Sequence, residues 1–253
     1  MVRLILATAL ITLSINTAAQ TSPPPVNRGM ASTAHPLATE AAEAIFKLGG
    51  NSIDAAIAVS LTLAVVEPSM SGLGGRAQAL VRHPDGSLQG YNGMTEIPQS
   101  FVLQKKMPSS GYTTVATPGL IALLQVLHEN HGSLPFENLI QPAIQHAWQG
   151  FALLPGEASR HQRSVKNLRR NPGMARAYLN NRKKAVIAGG VLKQPTLART
   201  LARLSKYGPN DFYQGEIARE ISADVIKNGG FITLADLKGY AVLPGRYIHF
   251  PYR

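Results

Sequence analysis

Residues 64–75 read Ala64-Val65-Val66-Glu67-Pro68-Ser69-Met70-Ser71-Gly72-Leu73-Gly74-Gly75, and the fold turns on how that stretch is read. The apolar run from Ile53 to Val66 stops at Glu67-Pro68, a glycine-rich turn follows, and a strand-like run, Gln78 to His83, comes next. Proline ends a helix and biases the residue before it toward extended geometry. Glycine permits positive φ and close backbone approach. The stretch therefore predicts a helix buried on most sides that delivers the chain to a tight turn. That turn is either a packing turn between helix and strand, the commoner case, or a loop whose amides face a ligand. It has neither the lysine of a phosphate loop nor the G-x-G-x-x-G spacing, so it is not a nucleotide signature.

Upstream, His35-Pro36 opens a helix with proline in its first turn; Leu37, Ala41, Ala44, Ile45 and Leu48 give it an apolar face, and Gly49-Gly50 ends it. Ser52 is the expected cap of the next helix, whose Ala55, Ala56, Ala58, Ser60 and Ala64 permit close packing on both sides. Downstream, Gln78 to His83, the turn Pro84-Asp85-Gly86-Ser87 and Leu88 to Asn92 predict a β-hairpin. Further helices are expected from Thr117-Pro118 through Glu129, from Pro135 to Gln149 with a kink or break at Pro142, from Pro195 to Lys206 and from Gly215 to Asn228. Thr233 with Asp236 forms a capping-box pattern, and Tyr240 to Tyr252 predicts the start of a strand pair.

The 253 residues are 45% hydrophobic, enough for one large core or two small ones and too apolar for a disordered chain. Net charge is +11 although only 15% of residues are charged, so the basicity comes from scarce acids. Solubility and surface attraction are the safer reading of that charge, and polyanion binding the bolder one. There is no cysteine, which excludes a disulfide frame, a thiolate nucleophile and a cysteine metal site. Arg160 to Lys184 holds nine Lys or Arg and no Asp or Glu, with Arg160, Arg163, Lys166 and Arg169 or Arg170 at helical spacing. We read it as the solvated face of a peripheral helical lobe, about residues 155–190, with a polyanion or membrane-surface site as the alternative. Tyr178 is the single aromatic residue of that basic run, so base stacking has no platform and no nucleic-acid partner is expected.

Arg3, the apolar run Leu4 to Ile15 and the small residues Thr17 and Ala19 predict a secretory signal peptide over residues 1–19. Its apolar core is too short for a bilayer of roughly 30 Å. Losing Arg3 takes the 25 basic residues to 24 against 14 acidic ones, a net +10. The expected product is secreted or periplasmic, with no integral membrane segment after signal removal. Residues 20–27, with Pro23-Pro24-Pro25, make a stiff leader to a domain over 28–253.

Several motifs resemble the γ-glutamyltranspeptidase family: Gly29-Met30-Ala31-Ser32, Ala34 to Ala41, Gly49 to Ala56 and Val65 to Gly75. Thr117-Pro118-Gly119, Gly132 to Phe136, Leu139 to Ile144, Gln194 to Leu201, Phe212 to Gly215 and Gly229 to Leu237 continue the resemblance in the same order. It runs from about Arg28 to Arg253. The resemblance implies an α+β fold, the N-terminal-nucleophile hydrolase αββα type, here incomplete: the helix-rich large-subunit part. In that family a precursor cuts itself into a large and a small subunit. The new N-terminal threonine of the small subunit attacks the γ-glutamyl amide of glutathione or a similar compound, with its own α-amino group as base. The glutamyl group passes to water or to an amino acid, without metal or organic cofactor.

The departures from the family pattern matter as much. The Thr-Thr-His-type start of the small subunit is nowhere in this sequence. Thr113-Thr114 is its one Thr-Thr pair, but Val115 follows, and the segment is internal to the large subunit in relatives, so no catalytic residue is assigned. In the family an arginine a few residues before the proline that matches Pro98 forks onto the glutamate α-carboxylate. Met94 stands at that position, and a thioether cannot donate to a carboxylate. The family's longer glycine run after Gly74-Gly75 gives way to Arg76-Ala77, which makes Arg76 a weak substrate-binding candidate. His35, Glu40 and Asp54 are read as capping or packing residues, and His128 and His131 have no third partner at ligand spacing, so no metal site is expected. The resulting expectation is a truncated γ-glutamyltranspeptidase-like protein that is inactive alone. The alternative is the large subunit of a split γ-glutamyltransferase assembled with a separately encoded small subunit.

Overall fold

His35 caps the first helix, α1 (Pro36–Lys47), through its Nδ1, which accepts from the Leu37 amide at 3.2 Å. Gly49, at φ 86°, turns the chain away afterwards. The next helix, α2 (Ser52–Val66), is capped by Asn51 and not by Ser52. Asn51 Oδ1 accepts from the amides of Ile53 (2.8 Å) and Asp54 (3.0 Å), and Asp54 accepts from the Asn51 amide at 2.9 Å. A cap at Ser52 would put Ala55 at the third helical position, and alanine cannot reach back. The structure is a computed structural model and describes residues 29–103, 105 and 108–250. The expected signal peptide and leader, residues 1–27, lie outside the described residues, as does the end of the strand pair expected to reach Tyr252.

The hairpin forms as expected from β1 (Ala77–Arg82) and β2 (Leu88–Gly93), antiparallel, with Ala77 opposite Gly93 and Arg82 opposite Leu88. Helix α3 (Leu120–His131) starts later than expected: Thr117 bridges Glu96 in extended geometry, and the Pro118 carbonyl accepts the Tyr213 hydroxyl at 2.9 Å. Helix α4 (Phe136–Gln149) is not broken at Pro142. Proline deletes one backbone bond, and burial of Leu139, Ile140, Ala143 and Ala147 on either side outweighs the loss. Next come β3 (Phe151–Ala152), α5 (Pro155–Leu168), α6 (Pro172–Tyr178) and β4 (Val191–Leu192), which pairs with β3. The last helices are α7 (Pro195–Tyr207), α8 (Asp211–Gln214), α9 (Glu216–Lys227) and α10 (Leu234–Gly239), the last opened by the expected box of Thr233 and Asp236. The strand pair expected over Tyr240 to Tyr252 shrinks to β5 (Leu243–Gly245), which joins β2 to give the order β1-β2-β5. Pro244 brings no amide to that ladder.

One contiguous apolar core holds the molecule, with α2 packed on α1, α3 and α4, and α4 on α7. As its all-round hydrophobicity predicts, α2 is buried on most sides. The inner face of the sheet, Ala77, Ala79, Val81 and Tyr91, lies on this core. The outer face leaves Leu80 and Leu243 exposed. Leu168, Leu179 and Ala185 form a separate small cluster inside the lobe made by α5 and α6. No helix among the described residues is long and apolar enough to cross a membrane.

Candidate functional site

Pro68 stops α2 as it must, and two tight turns follow. The amides of Met70 and Ser71 return to the Glu67 carbonyl, and the Gly75 amide to the Gly72 carbonyl, each at 2.9 Å. A Cβ on Gly75 would stand 2.9 Å from the Gly72 carbonyl oxygen, so the second turn closes tightly only with glycine. The Gly75 carbonyl in turn accepts from the amides of Gly119 and Leu120 at 3.1 Å, at the start of α3. Gly119 also lies so close to the Gly93 backbone and the Tyr240 hydroxyl that a Cβ would strike both. The turn, the end of β2 and the start of α3 therefore meet at one point. The other side of the turn opens onto a cavity of about 560 Å³ lined by Ser60, Ser69, Ser71, Gly72, Arg76 and others. Arg76 is exposed there, with no hydrogen bond or ion pair to a described residue.

Met94 follows Gly93, the ladder partner of Ala77, and does not line that cavity. Its amide donates to Asn92 Oδ1 at 3.2 Å and its carbonyl accepts from the Tyr240 hydroxyl at 2.7 Å. Burial raises the Tyr240 hydroxyl to about 12, so it stays a donor. The segment after Met94 is strapped to the base of α10: the Gln99 amide donates to Asp236 at 2.8 Å, and the Ser100 hydroxyl to the Phe231 carbonyl at 2.9 Å.

A second device fixes the turn. Glu157, in the first turn of α5, is 1% exposed. Its Oε1 accepts from the Ser69 amide at 3.0 Å and its Oε2 from the Ser69 hydroxyl at 2.6 Å. Arg160 donates to Glu157 Oε2 at 2.7 Å and, through Nε, to Ser69 Oγ at 2.6 Å, and it lies 3.6 Å from Glu67. His161 Nε2 approaches Glu157 Oε1 at 3.0 Å. Burial pushes the Glu157 carboxyl up, but the hydrogen bonds from the Ser69 hydroxyl, Arg160 and the Ser69 amide outweigh it and hold the group below the ordinary carboxylate range. Arg160 is thus not part of a solvated face, as its helical spacing with Arg163 and Lys166 suggests. A buried carboxylate on the preceding turn draws it inward.

The profile of the gamma-glutamyltranspeptidase family matches residues 38–253. The chain belongs to that family. The glutathione hydrolase proenzyme of Pseudomonas sp. (strain A14) is 32% identical over 247 residues, covering 93% of this chain and 43% of that protein. The glutathione hydrolase proenzyme of Escherichia coli (strain K12) is 29% identical over 236 residues, 89% of this chain and 41% of that one. The solved structure of Helicobacter pylori gamma-glutamyltranspeptidase superposes with a TM-score of 0.85 at 28% identity, over 92% of this chain and 69% of that chain. The chain spans less than half the length of these curated relatives. Its fold is accordingly that of the N-terminal-nucleophile hydrolases, as a helix-rich, large-subunit-sized part.

Within this γ-glutamyltranspeptidase frame the two positions marked by the resemblance each lie one residue beyond the paired Ala77 and Gly93, with Arg76 lining the cavity and Met94 outside its lining. Thr113 and Thr114 sit in a short 3-10 turn where the Thr114 hydroxyl bonds the Gly111 carbonyl at 2.8 Å. His35 caps α1, and burial, then the nearby His146, lowers its pKa. Glu40 is exposed on α1. Asp54 closes the α2 cap and accepts from the Ser133 amide at 3.0 Å. His131 Nε2 lies 2.6 Å from the Tyr91 hydroxyl, and His128 Nε2 donates to the Leu134 carbonyl at 2.8 Å. Sequence reasoning does not single out Glu157. The available signal is that it is the one acid between Glu137 and Asp211, directly before the basic run.

Proposed function

We propose that this chain serves γ-glutamyl transfer or hydrolysis as a large-subunit scaffold and is inactive on such substrates by itself. The observation that carries the reading is a family match over residues 38–253 in a sequence with no Thr-Thr-His start. Without an attacking group no acyl-enzyme forms. Methionine at position 94 removes the bidentate partner of the glutamate α-carboxylate. Arg76 is exposed at the cavity beside the glycine-rich turn, which supports it as the weak candidate to meet a carboxylate there. Relatives named glutathione hydrolase point to glutathione-type compounds as the substrate class. The layout that accompanies this reading is a signal peptide at 1–19, a leader at 20–27 and the family domain over 28–253, with the basic lobe at about 155–190, in a secreted or periplasmic protein.

The open outer face of the β1-β2-β5 sheet favours a second reading. Leu80 is 58% and Leu243 53% exposed there, and β1 is an unpaired edge among the described residues. Apolar faces and free edges of this kind call for a cover. A separately encoded small subunit would cover the face and bring the nucleophile. The deciding assay mixes purified chain with a γ-glutamyl p-nitroanilide. We expect no p-nitroaniline from the chain, and none from Met94→Arg. Turnover by the chain alone, abolished by Thr113→Ala or Thr114→Ala, would overturn the proposal. Turnover that arises only on co-expression with a polypeptide beginning Thr-Thr-His selects the split enzyme.

A further inference from the structure

Charge in this molecule is segregated. Residues 160–184 carry nine bases and no acid, while the other 16 bases face 14 acids, so +9 of the net +11 lies in that one stretch. Arg160 is neutralised by Glu157 and Glu67. The other eight bases are exposed, and none forms an ion pair with a described residue.

The backbone that carries several of these charges is held in place. The Arg169 guanidinium donates twice to the Lys183 carbonyl, at 2.9 and 2.7 Å. That fork sets Arg169 and Arg170, at the end of α5, beside the turn Arg182-Lys183-Lys184. The turn is itself clamped: Asn180 Oδ1 accepts from the amides of Arg182 and Lys184 at 3.0 Å each, and the Lys183 amide bonds the Asn180 carbonyl at 2.8 Å. Lys183 sits at φ 56°, the one non-glycine residue with positive φ among the described residues. Glycine or asparagine is the ordinary choice there, so a lysine is held against its own preference. The backbone thus gathers five bases near one another, none of them in an ion pair with a described residue, and an anionic surface would relieve their repulsion. Met174, 44% exposed, and Ile187, 76% exposed, add apolar side chains to the same lobe. Tyr178 packs edge-on against His161 with ring centroids 5.5 Å apart, and so is not free to stack on a base.

Cations flanked by exposed apolar residues, without a stacking platform, fit a headgroup layer better than a nucleic acid. We infer that residues 160–187 form a peripheral docking surface for an anionic lipid bilayer. This goes beyond the proposed activity and does not depend on it.

The test is co-sedimentation of the full chain with phosphatidylcholine vesicles, with and without phosphatidylglycerol. Binding is expected only with phosphatidylglycerol, and is expected to fall as salt rises. The variant Arg182→Gln/Lys183→Asn/Lys184→Gln keeps a residue that tolerates the positive φ, and its circular dichroism should match the parent. It should partition about a hundredfold more weakly, as expected for loss of three surface charges. Lys227→Gln/Lys238→Gln removes exposed charge outside the lobe and should leave binding within about twofold, since only charges near the surface contribute. Equal uptake by neutral vesicles, or undiminished binding by the triple variant, would overturn the inference. Retention on heparin or an oligonucleotide without any vesicle binding would also overturn it and assign the lobe to a soluble polyanion.

Discussion

The two ends of α2 each depend on a buried carboxylate, and the two carboxylates are satisfied in different ways. At the N-terminal end Asp54 is fully buried and accepts from the Asn51 amide and from the amide and hydroxyl of Ser133. Asn51 adds a bond to the His131 carbonyl at 2.7 Å. Every donor to Asp54 there is neutral, and the helix N-terminus supplies the favourable field. At the other end Glu157 reaches Ser69 from 88 positions along the chain and carries a cation, Arg160, with it. The first arrangement closes one end of the helix against α3 and α4. The second holds a turn by one flank and leaves its other flank on a cavity. A helix end sealed by neutral donors belongs to the core, whereas one held by a distant ionic contact positions a loop.

The comparison breaks hardest at Asp54. Asp54→Ala removes the fully buried acceptor of the Asn51 amide and of the Ser133 amide and hydroxyl, at up to about 1–3 kcal/mol for each donor that water does not reach. We expect a loss of about 4 kcal/mol in urea unfolding, a large share of a typical domain's stability. A loss near 1 kcal/mol would show that the end refills with water and is less closed than it looks.

Glu157→Gln comes second, at about 2–3 kcal/mol, because it leaves Arg160 without its buried partner while the amide still accepts from Ser69. It also has a pH signature. The folded carboxyl lies below its ordinary value of 4.5, so the unfolded chain binds the proton first as pH falls. The stabilisation is present above about pH 4.5 and is lost as pH falls through the folded value. His35 and His146, both lowered from 6.5 chiefly by burial, act in the same direction at higher pH, since the unfolded chain again protonates first. A stability profile of the parent should therefore decline from about pH 6.5 downward, and Glu157→Gln should flatten only the acid part below about 4.5. An unchanged acid limb would remove Glu157 from the account.

How much of this was legible follows from the range of each signal. α1, α7, α9 and the hairpin have local periodicity and local stops, and the structure places them within a few residues of expectation. The box of Thr233 and Asp236 was readable, and so was the equivalent pair Asn51 and Asp54, since the residue three places on decides the cap. The pairing of Asn92 with Leu243 joins segments far apart in the chain, so a local pattern overstates β5. Arg160 has the right spacing for its helix and the wrong environment, because its partner Ser69 is 91 positions away. The family resemblance marks Arg76 and Met94 but does not say that the first lines the cavity and the second does not. Glu157 has no motif at all, only the absence of other acids near it.

The smallest effect is expected at Arg76, and it sharpens the contrast between the two flanks of the turn. Arg160 and Arg76 both lie by the glycine-rich stretch, but Arg160 is bound to Ser69 and Glu157, whereas Arg76 is exposed at the cavity with no partner among the described residues. An exposed side chain without contacts contributes little, so Arg76→Ala should change the unfolding free energy by less than about 0.5 kcal/mol. Combined with Glu157→Gln the two losses should add, because they share no partner. A loss above about 1 kcal/mol, or clear non-additivity, would mean that Arg76 holds its flank as Arg160 holds the other. The turn would then be closed on both sides, and the cavity beside it would be a product of packing and not an opening left for a substrate.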